Sequence, residues 1–235
     1  MGGSDSLTGN SLAGNTGELS SMVDGSIDLS RVRRLGLMGG TFDPIHLGHL
    51  VTAEAALTSF KLDKVLFIPS GQPPHKTEKI VSPREQRWLM TELAVVTNPF
   101  FEVSPVEVHR TGYSYSADTV SYFKSVVGSK CELYFITGAD AILEILTWKK
   151  LDELFAGCTM IAATRPGFQY DAMKDRLRHM LRDEYLEKII TIEVPAMAIS
   201  STDIRDRVAN GRSIKYLVPE PVEQFIYKQR LYTNG

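Results

Sequence analysis

The sequence predicts a single α/β domain built on a doubly wound parallel sheet. Short apolar runs of strand length alternate with stretches of helical period: Leu35–Met38, Lys64–Pro69 (KVLFIP), Cys131–Thr137 (CELYFIT) and Cys158–Thr164 (CTMIAAT). Alternation at this spacing is the pattern of a parallel sheet covered by helices on both faces. The first run leads into Gly39-Gly40, and an Ala/Leu-rich helical segment follows that turn. Strand, glycine turn, helix is the layout that aims backbone N–H groups and a helix N-terminus at an anion. A chain of 235 residues, 43% hydrophobic and 23% charged, also suits one domain with a sizeable core.

In chain order, residues 1–30 are rich in Gly, Ser and Asn with no apolar period, which predicts a flexible N-terminal extension ahead of a domain spanning 31–235. The segment lacks the apolar stretch of a secretory signal. Leu50–Phe60 reads as the first helix and Lys64–Pro69 as the second strand. Pro83 opens the next helix, with Ser82 as its N-cap and an end near Thr97. Phe100–Val108 reads as extended, broken at Pro105, and Tyr115–Val127 as helical. After the strand Cys131–Thr137, Ala141–Leu146 and Trp148–Phe155 read as short helices, with Thr147 capping the second. The strand Cys158–Thr164 precedes a helix at Ala172–Asp183, a strand at Lys188–Val194, and helices near Thr202–Ala209 and Val222–Lys228. Ligands of such a sheet bind beyond the carboxyl ends of its strands. The fold is Rossmann-like, but GxGxxG is absent, so a dehydrogenase loses its main support.

Composition narrows the function further. A net charge of −2, from 26 basic and 28 acidic residues, argues against a broad nucleic-acid surface yet permits nucleotide substrates. No run approaches the ~20 apolar residues of a membrane span. Cys131 and Cys158 both lie in apolar runs and read as buried free thiols, and no metal-ligand spacing is present. The expectation is a cytoplasmic protein, with its oligomeric state left open.

The chemistry concentrates in Gly39-Gly40-Thr41-Phe42-Asp43-Pro44-Ile45-His46-Leu47-Gly48-His49. Two imidazoles three residues apart at a phosphate-cradling turn can donate to phosphoryl oxygens as negative charge builds there. A second constellation is Ile199-Ser200-Ser201-Thr202-Asp203-Ile204-Arg205, hydroxyl residues ahead of a helix whose first turns carry an arginine. By itself it reads equally as plain capping or as a polyphosphate site. A third, Pro73-Pro74-His75-Lys76, follows the second strand. A fourth combines Ser114-Tyr115-Ser116 with Gly138-Ala139-Asp140 and Trp148-Lys149. Ser116 and Asp140 have capping readings, and Trp148 a core reading.

These residues resemble the HxGH nucleotidyltransferases, and more narrowly GGTFDPIHLGH is similar to the bacterial nicotinate-mononucleotide adenylyltransferases. The resemblance runs from about Arg33 to Tyr232 and implies the Rossmann-like fold of that superfamily. It implies transfer of AMP from ATP to nicotinate mononucleotide. His46 and His49 would be catalytic, with His49 nearest the reacting phosphorus. Gly39, Gly40, Thr41 and Phe42 would join them in holding ATP, with Ile199, Ser200, Ser201, Thr202 and Arg205. Lys76, Ser116, Asp140, Trp148 and Lys149 would hold the mononucleotide. The family reads SYT where this chain has Ser114-Tyr115-Ser116, so the hydroxyl is kept without the methyl. Mg²⁺ would arrive mainly on the phosphates of ATP, with no protein ligands assigned. Alternatives are a sister adenylyltransferase for nicotinamide mononucleotide or phosphopantetheine, and a non-catalytic nucleotide-binding module.

Overall fold

A computed structural model of the chain describes residues 27–73, 81–167, 170–195 and 197–233. Six strands form one sheet in the order β3-β2-β1-β4-β5-β6, every pair parallel. The strands are β1 (Arg34–Gly40), β2 (Lys64–Pro69), β3 (Phe101–Val103), β4 (Glu132–Gly138), β5 (Thr159–Thr164) and β6 (Ile189–Glu193). Strand order reverses between β1 and β4, the switch point where such sheets open a crevice at their carboxyl edge.

Both faces of the sheet are apolar, as parallel strands require. Along β2, Leu66 and Ile68 enter one core layer while Val65 and Phe67 enter the other. β4 and β5 alternate in the same way: Phe135 and Met160 face the first layer, Ile136 and Ile161 the second. The first layer is closed by α3 (Ser116–Val127) through Val120 and Phe123, and by α5 (Leu151–Gly157) through Leu154 and Phe155. The second is closed by α1 (Leu47–Ser59), α2 (Arg84–Val95), α8 (Ser201–Ala209) and α9 (Glu220–Lys228). Between these lie α4 (Ala139–Leu143), a 3-10 turn at Ile145–Thr147, α6 (Tyr170–Arg178) and α7 (Asp183–Leu186). Ile27 and Leu29 pack against the first layer, whereas the rest of the expected extension, residues 1–26, lies outside the described residues.

The strands fall where the apolar runs place them, and the differences gather at element ends. α1 begins at Leu47 instead of Leu50, because the His46 N–H donates to His49 Nδ1 (3.2 Å) and an imidazole thus occupies the place of the usual capping hydroxyl or carboxylate. α2 begins at Arg84 with Pro83 as its N-cap, so Ser82 does not cap it. Only Phe101–Val103 of the extended segment joins the sheet: after the Ser104 N–H bonds Phe67 O (2.9 Å), Pro105 has no N–H to continue the ladder. The expected helix at 172–183 ends early, α6 stopping at Arg178, and α7 begins only at Asp183. Trp148 ends the 3-10 turn instead of starting a helix, and Lys150, in the left-handed region at φ 59°, precedes α5.

Candidate active site

A cleft of about 320 Å³ opens at the carboxyl ends of β1, β4, β5 and β6. His46, His49, Asp140, Arg165 and Ile199 line it, with Thr52 one helical turn beyond His49. Its floor is the turn from β1 to α1. The His46 and His49 rings stack with centroids 3.7 Å apart. Because His49 Nδ1 accepts the His46 peptide N–H, the neutral His49 ring carries its proton on Nε2. Phe42, buried and at φ 49°, sets its ring edge-on to His49 at 5.1 Å and fixes that imidazole from below.

His46 is buried, and its Nδ1 has no hydrogen-bond partner. A lone pair left bare costs less than an orphaned N–H, so the proton belongs on Nε2 here as well. Burial pushes the imidazole down from 6.5 to about 4, which keeps His46 neutral at physiological pH. Gly48 makes this stacking possible: a Cβ there would lie 3.0 Å from His46 Nδ1 and 3.1 Å from its Cε1. Two neutral rings with protons on Nε2, at the start of a helix, are suited to donating hydrogen bonds to phosphoryl oxygens.

The second constellation meets this turn, largely by strapping it in place. Ser200 caps α8 by accepting from the Asp203 N–H (3.1 Å), which realises its capping reading. Ser201 Oγ donates to Pro44 O (2.9 Å), and Arg205 donates to Asp43 O (2.7 Å) and to Thr202 Oγ1 (3.3 Å). Asp43 is buried, on the N-terminal side of a cis bond to Pro44. It accepts from the Tyr232 hydroxyl (2.7 Å) and the Ser82 N–H (3.3 Å), so both carboxylate oxygens are engaged within the protein. Gly39 and Gly40 close β1 beside Ile68 and Pro69, and Thr41 O accepts from Arg87 (2.8 Å).

The remaining candidates separate. Asp140, in the first turn of α4, lines the cleft with the histidines, whereas Ser116, Trp148 and Lys149 do not. Ser116 is the first residue of α3, Lys149 is exposed, and Trp148 packs edge-on against Phe135 (5.9 Å), as its core reading expects. The Trp148 N–H is bonded to Ile145 O (3.0 Å) and Thr147 Oγ1 to Glu144 O (2.8 Å), so Thr147 closes a 3-10 turn instead of capping a helix. Lys76 and His75 lie outside the described residues. Among the described residues no three His, Cys, Asp or Glu side chains gather as a metal site, and Asp140 is the carboxylate on the cleft wall.

Sequence reasoning missed three contributors. Thr52 follows His49 by three residues on the same helical face, a spacing visible in the sequence. Gly48 was quoted in the motif without a role. Arg87 belongs to no motif, yet it stands on the face of α2 that carries Met90, Thr91 and Ala94, all buried. A cation on an apolar stripe is the mark that would have singled it out.

Comparison with known proteins supports one grouping. A family model described as cytidylyltransferase-like matches residues 37–207. The chain is 57% identical over 204 residues to a protein of Thermoanaerobacter sp. (strain X514) named probable nicotinate-nucleotide adenylyltransferase, covering 87% of this chain and 96% of that one. A protein of the same name from Moorella thermoacetica is likewise 57% identical over 204 residues, covering 87% and 94%. Among solved structures, the nicotinic acid mononucleotide adenylyltransferase of Plasmodium falciparum complexed with NaAD matches with a TM-score of 0.65 at 19% identity, covering 85% of this chain and 97% of that one. At that identity the likeness speaks for the fold. No described helix is long and apolar enough to cross a membrane. By the extent of the family match and the identity to these relatives, the chain belongs to the cytidylyltransferase-like family and, within it, to the nicotinate-nucleotide adenylyltransferases.

Proposed function

We propose that this enzyme transfers the adenylyl group of ATP to nicotinate mononucleotide, giving deamido-NAD and pyrophosphate, in the cytoplasmic synthesis of NAD. The observation that carries the reading is the stacked His46–His49 pair on the floor of the cleft. The phosphate of the mononucleotide already supplies a nucleophilic oxygen, so no general base is needed. That oxygen attacks the α-phosphorus in line: the new P–O bond forms as the bond to the β-phosphate breaks, and pyrophosphate leaves with the electron pair. Charge develops on the phosphoryl oxygens, and the protein acts mainly by positioning and by donating hydrogen bonds to them.

His49, with Phe42 fixing its ring, takes the place nearest the reacting phosphorus. His46 and the amides of Gly40, Thr41 and Phe42 hold the neighbouring phosphates. Ser200, Ser201, Thr202 and Arg205 frame the β- and γ-phosphates. Arg205 does so from a position already fixed by its bond to Asp43 O. Asp140, sharing the cleft with the histidines, would hold hydroxyls of the mononucleotide where it meets ATP. Mg²⁺ fits as an ion brought by the triphosphate, with Asp140 within the same cleft; when bound it would neutralise charge on the leaving pyrophosphate. Lys76 would meet the phosphate of the incoming mononucleotide, and Ser116, Trp148 and Lys149 its pyridine end.

The acid rather than the amide as acceptor is supported by the names of the relatives. The test is pyrophosphate release from ATP with nicotinate mononucleotide, nicotinamide mononucleotide and phosphopantetheine as acceptors. Nicotinate mononucleotide should be preferred at least about tenfold in kcat/KM, a difference of ~1.4 kcal/mol. His49→Ala should fold normally and lose about 10²–10³ in kcat, by analogy with removal of one oxyanion donor. Preference for another acceptor would reassign the substrate, and normal turnover by the His49 variant would remove the histidine from the chemistry.

A further inference from the structure

The Arg87 guanidinium is buried, at 1% exposure, and donates from all three of its nitrogens to main-chain carbonyls of three separate segments. Nη1 bonds Thr41 O (2.8 Å), in the turn that carries the histidines. Nη2 bonds Gly71 O (3.0 Å), where the chain leaves β2, and Nε bonds Ser82 O (2.9 Å), where it returns to begin α2. Both ends of the segment after β2 are thereby fixed to the histidine turn by one planar side chain.

The same points are held from the other side. The Gly71 N–H donates to Ser114 Oγ (3.2 Å), and a Cβ at Gly71 would lie 2.1 Å from the Glu107 carbonyl oxygen. The Ser82 N–H bonds Asp43 Oδ2 (3.3 Å), within the histidine turn itself. A buried cation committed to carbonyl oxygens is an expensive way to gain stability, because desolvation offsets much of the attraction. What it supplies is a fixed geometry, since the guanidinium fork has rigid directions that a lysine ammonium lacks.

We propose that Arg87 is a positioning residue for the transfer reaction, holding Gly71 and Ser82 in register with the phosphate-binding turn. The proposal rests on the function given above, in which Lys76, between Gly71 and Ser82 in the sequence, meets the acceptor and the turn meets ATP. In-line attack makes this register matter: a misplacement of about 1 Å costs on the order of 10²-fold in rate. Loss of the fork loosens the two Gly71 and Ser82 anchors, while the turn keeps its straps from Ser201 and Arg205. The acceptor side therefore suffers more than the ATP side.

The experiment is steady-state kinetics of Arg87→Lys with each substrate varied, beside its melting temperature. The KM for nicotinate mononucleotide should rise about tenfold or more and kcat should fall, while the KM for ATP changes less than about threefold. A folded variant that loses only thermal stability, or in which both KM values rise equally, overturns the proposal. Should Arg87→Lys not fold, Gly71→Ala displaces the same anchor through the Glu107 carbonyl and should produce the same selective rise; an unchanged acceptor KM there overturns the proposal too. Wild-type turnover separates the two readings. No transfer to nicotinate mononucleotide refutes the proposed function, whereas wild-type transfer with unaltered variants refutes the role of Arg87.

Discussion

Acidification should destabilise the fold through His46 in particular. Burial lowers this imidazole from 6.5 to about 4, so the unfolded chain takes up a proton at a pH where the native state does not. A depressed folded value means that the stabilisation is fully present above 6.5 and is lost as pH falls towards about 4. At pH 4 the difference amounts to about 3 kcal/mol, taking 1.36 kcal/mol per unit. Carboxylates titrate over the same range, so the comparison must be with a variant that has no proton to gain. His46→Gln serves, and urea unfolding of both proteins at pH 7.5, 6, 5 and 4 is the assay. Whatever advantage the wild type holds at pH 7.5 should shrink by about 3 kcal/mol by pH 4, or by roughly 6–12 °C in melting temperature for a domain of this size. Parallel stability curves, constant to within about 0.5 kcal/mol, would mean that His46 is as well solvated in the native state as in the unfolded chain. The argument for its neutral, Nε2-protonated form would fall with it.

Gly48→Ala should separate folding from function. Alanine in the first turn of α1 gains up to about 1 kcal/mol of helix propensity, so the melting temperature should hold. The new methyl would press on His46 Nδ1 at 3.0 Å, and kcat should fall roughly tenfold or more; a wild-type rate would show that the stacked pair tolerates displacement. Glu107→Gln addresses a buried carboxyl whose pKa is raised, first by burial, against a hydrogen bond from Thr119 that lowers it. A raised folded value means that its stabilisation is present below the ordinary carboxyl range and lost as pH rises through the folded value. Unfolding measured from pH 5 to pH 8 should therefore shift in favour of the glutamine variant, which keeps an acceptor for Thr119. A pH-independent difference would count against a protonated Glu107.

Much of the fold was legible because burial on two faces leaves a plain mark. Lys64–Pro69 is a strand in the sequence pattern and the same strand in the structure, since its residues alternate between two apolar layers and Pro69 ends it. Helix starts were less legible. His46 is not a usual capping residue, and nothing in its type announces that His49 would receive its N–H. Ser82 looks like a cap and is not: the helix starts one residue later on Pro83, while the Ser82 N–H and carbonyl are held by Asp43 and Arg87. The histidine turn was legible as a motif, with its residues contiguous. Arg87 was not, because two of the carbonyls it binds, Thr41 O and Gly71 O, are brought together only by the pairing of β1 with β2. At Trp148 the pattern misled: Thr147 ahead of a helical stretch suggested a cap, whereas it ends a 3-10 turn and the helix begins only at Leu151.

The reversal of strand order between β1 and β4 divides the cleft between two stretches of chain. His46 and His49 follow β1, whereas Asp140 follows β4 and Arg165 follows β5. Neither stretch holds a complete cleft wall. Between them lies Gly112, exposed, at φ 83°, with open space where a side chain would be. A chain cut at that point would yield two fragments, each lacking half of the wall, which α8 and α9 rejoin by packing from the second fragment onto the core of the first. Catalysis would then return only with reassociation, and the enzyme becomes a natural two-piece reporter in which turnover counts encounters between whatever the fragments are fused to.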